Sequence, residues 1–301
     1  MESNFVRRFT EGFYPDISSL LIIDKLTYSG KISNIERCLG DSRVKFVEGD
    51  ICDLQLVEKL MLNCDVVINF AAETHVDRSI SNSFEFVHTN VLGVQNLLNV
   101  AMRINLKKFL QISTDEVYGS AREGSWDENA PLLPNSPYSA SKASADLLVR
   151  SYNVTHNLFT IITRCSNNYG PYQFPEKFIP HSIMKVLAGS EIEIYGNGLN
   201  IRDWLHVDDH CDGIYIALTR GSAGEIYNIG GGTEKTNFEL ASEINKILGM
   251  GIENLKFVPD RKGHDFRYSV DDTKIRKLGY RPSRNFNESL IETVNWYKEN
   301  L

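Results

Sequence analysis

The chain has 301 residues, 42% hydrophobic and 24% charged, enough for one large or two ordinary domains with a sizeable core, and this composition excludes a disordered chain. A formal net charge of -7 argues against a general nucleic-acid role while leaving room for a locally basic pocket that takes an anion. No apolar run reaches membrane-spanning length, no signal-peptide pattern is present, and Cys38, Cys52, Cys64, Cys165 and Cys211 lack zinc or redox spacing, so the expectation is a cytoplasmic protein with reduced, mostly buried thiols.

In chain order, residues 4–12 read as a short helix closed by Gly12. A rhythm follows: LLIID stops at Asp24, VKFVEGD at Asp50, DVVINFAAE near Ala72 and Glu73, KKFLQISTDE at Glu116 and FTIITRCSNN at Asn168. Helical periods such as LQLVEKLML and FEFVHTNVLGVQNLLNVAMRI lie between most of these runs. Alternating strands and helices predict an α/β, Rossmann-like, doubly wound parallel sheet. Its strands are apolar throughout, as expected when both faces are covered, and its ligands belong outside the strands' carboxyl ends. Past residue 170 the rhythm changes. Pro171, Pro175 and Pro180 precede a helix in FIPHSIMKVLAG, strands in EIEIYG, IRDWLHV and EIYNIG, and helices near 237–248 and 287–300. The division expected is 1–170 for the Rossmann-like domain, revisited around 205–232, and 171–301 mainly for a smaller mixed α/β substrate domain.

Two stretches carry the chemistry. STDEVYG places Thr114, Asp115 and Glu116 directly after a buried strand, and SPYSASK places Tyr138 and Lys142 one helical turn apart. An ammonium beside a phenol favours the phenolate, so Lys142 is expected to lower the Tyr138 pKa and make it a base. Adjacent carboxyls can cap a helix, but in different environments they can also divide the roles of acid and base. His75, His206 and His210 have no metal-ligand spacing and read as structural; no metal is expected.

STDEVYG and YSASK, with DKLTYSG and AAETHVDRS, resemble the dTDP-glucose 4,6-dehydratase family of extended short-chain dehydrogenases/reductases, from about Ser3 to the C-terminus. The resemblance implies a redox-neutral dehydration of a nucleotide-bound glucose to a 4-keto-6-deoxy sugar with NAD as cofactor. It implies Tyr138 and Lys142 as the hydroxyl base and its partner, Asp115 as the acid that protonates the leaving hydroxyl, Glu116 as the base for the carbon-bound proton, and Thr114 as a sugar contact. Asp24, ending an apolar strand, can accept from both ribose hydroxyls and would repel a 2′-phosphate, which selects NAD over NADP. Lys25, Thr27, Asp50, Ile51, Ala71, Ala72, Thr89 and Asn168 match further cofactor positions, as do Tyr138 and Lys142. Arg202 and Arg261 suit a diphosphate. His264 and Asn237 would assist them. Thr74, Asn167, Lys177 and Phe178 match substrate positions, and Tyr195 would pack on the base. The helices near 84–104 and 139–155 would pair two subunits into a homodimer.

The chain departs from the family pattern twice. Lys262 stands where members often carry proline, and the opening Gly-x-x-Gly-x-x-Gly is missing, with Glu2 where its last glycine would stand. The expectation is therefore either a longer natural chain or a remnant that cannot hold NAD. The other rivals are a 4-epimerase, opposed by the Asp115–Glu116 pair, and a UDP- or CDP-sugar dehydratase, which Tyr195 and Asn237 do not exclude.

Overall fold

The computed structural model describes residues 1–300. The helices are α1 (Glu2–Thr10), α2 (Leu54–Met61), α3 (Val76–Ser81), α4 (Phe84–Val87), α5 (Val94–Arg103), α6 (Pro137–His156), α7 (Phe178–Leu187), α8 (Val207–Arg220), α9 (Asn237–Ile247), α10 (Thr273–Lys277) and α11 (Phe286–Asn300). The strands are β1 (Leu20–Asp24), β2 (Val44–Glu48), β3 (Val66–Asn69), β4 (Lys108–Thr114), β5 (Thr160–Cys165), β6 (Asn167–Tyr169), β7 (Ile192–Tyr195), β8 (Ile201–His206), β9 (Ile226–Ile229), β10 (Glu234–Thr236) and β11 (Leu255–Val258).

All pairings among the first five strands and β9 are parallel. β1 pairs β2 from Leu20↔Val44 to Asp24↔Glu48, and a separate four-stranded sheet runs β3-β4-β5-β9. One apolar core joins the two sheets: Phe5, Val6 and Phe9 of α1 pack with Ile22, Val44, Leu110, Ile112 and Ile161. A second cluster, with Val94, Leu98, Phe109, Val149 and Ile162, fastens α5 and α6 to the sheet. In the later half, β6-β8-β10 and the parallel pair β7-β11 lie with α7, α9 and α11 around Ile179, Ile194, Leu240 and Val294.

Helix α6 is the most strongly specified element. Ser136 and Ser139 form a reciprocal capping box, Pro137 supplies a preset φ in the first turn, and Asn157 ends the helix in the left-handed region. A buried pair, Arg164 Nε to Asp146 Oδ2 at 2.8 Å, ties its middle to β5.

Boundaries differ from expectation for local reasons. α1 begins at Glu2 and ends before Gly12, which turns the chain at φ 88°. β3 stops at Asn69 because its side chain accepts the Ala71 amide at 3.1 Å and donates to Gln111 Oε1 at 2.9 Å, so Ala72 and Glu73 lie in a loop. The run expected to end at Asn168 is two strands. The chain leaves the sheet at Ser166, where Oγ donates to Asp203 Oδ2 at 2.6 Å, and β6 joins β8 instead. The helix expected over 84–104 contains a π-helical stretch from His88 to Gly93, a distortion common near functional sites.

Candidate active site

β4 delivers Ser113 and Thr114 to its carboxyl end, and residues Asp115–Tyr118 turn away in a 3-10 helix. Thr114 caps that turn: Oγ1 accepts the Glu116 amide at 3.3 Å and donates to Asp115 Oδ1 at 3.2 Å. Asp115 is 3% exposed and its Oδ2 has no partner. Burial first, then the Glu116 charge, lifts the Asp115 carboxyl well above the usual range. Burial also raises Glu116, against the pull of Arg261, Arg202 and Lys177. The two carboxyls therefore hold protons more tightly than solvent carboxyls do, with Arg202 opposing the rise at both and Arg261 and Lys177 adding to that pull at Glu116.

Tyr138 and Lys142 lie on the first turns of α6, both buried. Lys142 Nζ donates to the Ile112 carbonyl at 2.6 Å. Burial lowers its pKa, opposed by Asp146. Tyr138 departs from expectation. Burial, then Glu116, raises its phenol well above the ordinary value, with a Thr114 hydrogen bond opposing the rise. Lys142 does not offset this because its ammonium is spent on a backbone carbonyl rather than on the phenol.

The charges of the opposite wall come from the later half. Arg202 on β8 is buried, donates to the Ile201 and Asp265 carbonyls at 2.7 and 3.0 Å, and stacks 4.3 Å over Tyr268. Arg261 follows β11, and its buried Nε lacks a partner. Lys177 Nζ donates to the Thr74 carbonyl at 3.0 Å. Asn167 Oδ1 is buried and unpartnered. Tyr195, exposed at the end of β7, meets His264 edge-on at 6.2 Å. His264 is engaged with Asp260 Oδ1 at 2.6 Å, and burial, then Arg261, lowers its pKa to about 4, so it stands as a neutral ring. Phe178 opens α7 and is partly buried against the core around Ile179. Asn237 opens α9 and is buried, with its backbone amide donated to Asn200.

The other end of the cleft, about 250 Å³, is lined by residues including Glu2, Ser3, Arg7, Asp24, Leu26, Gly30, Thr74, Asn168 and Lys177. Asp24 Oδ1 accepts the Leu26 amide at 2.7 Å and Asp50 Oδ1 the Cys52 amide at 2.8 Å, while Lys25 Nζ pairs with Asp50 Oδ2 at 2.7 Å. Thr27 is exposed in the loop after β1. Ile51 is buried against Gly93, where an added Cβ would lie 2.5 Å from Ile51 Cδ1. Ala71, Ala72 and Thr89 are half-buried. The Asn168 side chain is held by the Ser166 carbonyl at 2.9 Å and by His210 Nδ1 at 2.8 Å. His75 and His206 cap α3 and α8.

Sequence reasoning missed Asn90. Its Oδ1 accepts the Glu73 amide at 2.9 Å, and its Nδ2 donates to the Glu73 carbonyl at 3.0 Å and to Ser141 Oγ at 2.8 Å. One buried amide thus fixes the loop after β3 against α6; its signal, a polar residue on an otherwise apolar helix face, is visible in TNVLGVQNLL.

A family model described as GDP-mannose 4,6 dehydratase matches residues 3–293. A dTDP-glucose 4,6-dehydratase from Streptomyces niveus is 51% identical over 301 residues, covering 99% of this chain and 90% of the relative. The chain belongs to the dTDP-glucose 4,6-dehydratase family. Within that family, a crystal structure from Streptomyces venezuelae with NAD bound superposes with a TM-score of 0.98 at 49% identity, covering 99% of this chain and 94% of that one. A UDP-glucuronic acid 4-epimerase from Bacillus cereus shares the fold (TM-score 0.92, 99% and 96% covered) at only 27% identity.

Proposed function

We propose that this chain is an NAD-dependent hydro-lyase that converts dTDP-glucose into its 4-keto-6-deoxy derivative. The observation that carries this reading is the Asp115–Glu116 pair on the Thr114-capped turn, Asp115 buried and Glu116 half-buried, with Tyr138, Arg202 and Arg261 near it. An epimerase needs no such pair, whereas loss of water needs one group to take a carbon-bound proton and another to protonate the departing hydroxyl.

The residues present fit NAD at its two ends. Asp24 and Asp50 are acceptors at the carboxyl ends of β1 and β2, Ala71 and Ala72 leave room for close approach, and Ser113 Oγ at the carboxyl end of β4 is buried without a partner. Asp24, Lys25, Thr27, Asp50 and Ile51 would hold the adenosine half; Ala71, Ala72, Thr89, Tyr138, Lys142 and Asn168 the nicotinamide half. NAD when bound supplies a reversible hydride store, so the overall reaction consumes no oxidant.

Tyr138 takes the proton of the sugar's 4-hydroxyl, and Lys142 is the cation that offsets its raised pKa once the ammonium leaves the Ile112 carbonyl. Thr114 orients that hydroxyl. The 4-keto group acidifies the C5 proton, which Glu116 removes. Asp115, kept protonated by its burial, gives its proton to the leaving C6 hydroxyl. Arg202, Arg261 and Lys177 hold the diphosphate, with Thr74 and Asn167 on the sugar, Tyr195 on the base, and Asn237, Phe178 and His264 shaping the pocket. The substrate domain is residues 171–301, with 205–232 returning to the cofactor domain of 1–170.

The protein works as a homodimer in the cytoplasm. Support for the dimer is the line of exposed Phe84, Val87, Leu92, Leu147 and Val154 along the helices near 84–104 and 139–155. Support for the compartment is the five free cysteines, together with the finding that no helix among the described residues is long and apolar enough to cross a membrane. The test is direct: supply NAD and dTDP-, UDP- or CDP-glucose and look for a 4-keto product. Product from dTDP-glucose is expected; its absence with every nucleotide sugar would sink the reading.

A further inference from the structure

We infer that Asn135 and Asp265 form a positioning brace that docks the substrate loop onto the amino end of α6, so that nucleotide capture and alignment of the acid–base turn are made together. Asn135 Nδ2 donates to Asp265 Oδ1 at 2.7 Å, linking positions 130 residues apart. Asn135 immediately precedes Ser136, the cap of the helix that carries Tyr138 and Lys142. Two glycines enclose it. A Cβ added at Gly119, where the Asp115–Tyr118 turn ends, would lie 3.4 Å from Asn135 Nδ2. One added at Gly263, in the substrate loop at φ 65°, would lie 3.0 Å from the Asn135 carbonyl oxygen. Asn135 therefore touches the catalytic turn, the catalytic helix and the loop that bears Arg261.

Asp265 carries the other half of the brace. It is 6% exposed, and its second carboxylate oxygen accepts the Tyr268 hydroxyl at 2.7 Å. Its backbone carbonyl accepts Arg202 Nη2 at 3.0 Å and Asn200 Nδ2 at 3.2 Å, while the Tyr268 ring lies 4.3 Å from the Arg202 guanidinium. A carboxylate holding two side-chain donors fixes geometry more tightly than a neutral acceptor does. Arg202 of the diphosphate seat is thus set from one residue, and that residue is set by Asn135.

The brace is separable from the fold. Elsewhere the loop is fastened by the Ala121 amide to the Arg267 carbonyl at 2.9 Å, by Ser120 Oγ accepting the Phe266 amide at 3.2 Å, and by Arg267 paired with Glu234 at 2.6 Å. Losing the Asn135 bond leaves those contacts in place and frees only the end that carries Arg261.

The inference rests on the dehydratase reading for its catalytic half; its binding half is measured independently, with thymidine diphosphate as the probe. Asn135→Ala and Asp265→Asn should each weaken thymidine diphosphate binding by calorimetry about tenfold, raise KM for dTDP-glucose, and slow exchange of the C5 proton. NAD affinity and the circular dichroism spectrum should not change. The exchanged pair N135D/D265N restores one donor facing one acceptor with reversed polarity, and should recover binding to within about threefold of the natural protein. Unchanged affinity in Asn135→Ala, or an exchanged pair weaker than either single variant, overturns the brace. If Asp265→Asn fails to fold, Asn135→Ala decides alone. A natural protein that binds thymidine diphosphate but converts no nucleotide sugar overturns the dehydratase reading and leaves the binding comparison to decide the brace.

Discussion

Two carboxyl pairs stand just beyond strand ends in this fold, Asp24 with Asp50 and Asp115 with Glu116. The first pair is served by donors: the Leu26 and Cys52 amides, and Lys25 on Asp50. Burial pushes Asp50 up, yet the Lys25 and Cys52 bonds outweigh it and the net shift is downward. The second pair is enclosed, mutually repelling and short of donors, and both of its pKa values rise. Carboxyls at comparable strand ends thus shift in opposite directions, Asp50 downward and Asp115 and Glu116 upward. Access to water and cations decides the direction.

That contrast breaks most visibly at Glu116. Glu116→Gln should cut product formation by about a thousandfold and abolish C5 proton exchange, while NAD and thymidine diphosphate affinities hold; normal exchange would refute its role as base. The natural enzyme should lose elimination rate as pH falls through the raised Glu116 pKa, because only the ionised form accepts a proton. Its acid limb should therefore lie above the usual glutamate range in a pH–rate profile.

At the donor-rich pair, the expected effect is on the cofactor alone. Asp24→Ser should weaken NAD about tenfold and narrow its preference over NADP, measured by equilibrium titration. Glu2 is an intermediate case. It lines the cleft with Asp24, and burial, then the Asp24 charge, raises its pKa to about 8. NAD affinity should fall as pH rises through that value, since the ionised carboxylate repels a pyrophosphate, and Glu2→Gly should remove the dependence.

The smallest expected effect concerns stability. A carboxyl whose folded pKa is raised contributes stability that is complete below its unfolded pKa and is lost as pH rises through the folded one. Asp115→Asn should accordingly stabilise the inactive protein at neutral pH by about 1 kcal/mol, seen as a melting rise of roughly 2 °C, and the gain should vanish in acid.

Much of the frame was legible in the sequence. The apolar run ending in Asp24 gave β1, the run expected to end at Glu116 gave β4, which stops at Thr114 because Asp115 already starts a 3-10 turn, and the Tyr138–Lys142 spacing placed both residues on one helix. The misses have side-chain causes. Asn69 stops β3 by capturing Ala71, and Ser166 diverts the chain to Asp203, events that neither periodicity nor propensity registers. At the site, the residue types of the carboxyl pair and the Tyr138–Lys142 spacing were readable. The sign of the Tyr138 shift was not, because it depends on how deeply the fold buries the phenol and on the nearness of Glu116. Asn135 and Asp265 act through partners far along the chain, so no local pattern marks them.

The unmet polar atoms around the acid–base turn bear on inhibitor chemistry. Asp115 Oδ2, Ser113 Oγ and Asn167 Oδ1 are buried without partners. A nucleotide-sugar mimic that places a neutral acceptor opposite the protonated Asp115 and a donor opposite Asn167 Oδ1 would recover hydrogen bonds that the free protein leaves unmade. A cationic mimic would have to displace the proton that Asp115 holds firmly. Compounds against this enzyme should therefore gain more from shape and hydrogen bonding than from positive charge, and should discriminate against relatives of this fold that lack the pair.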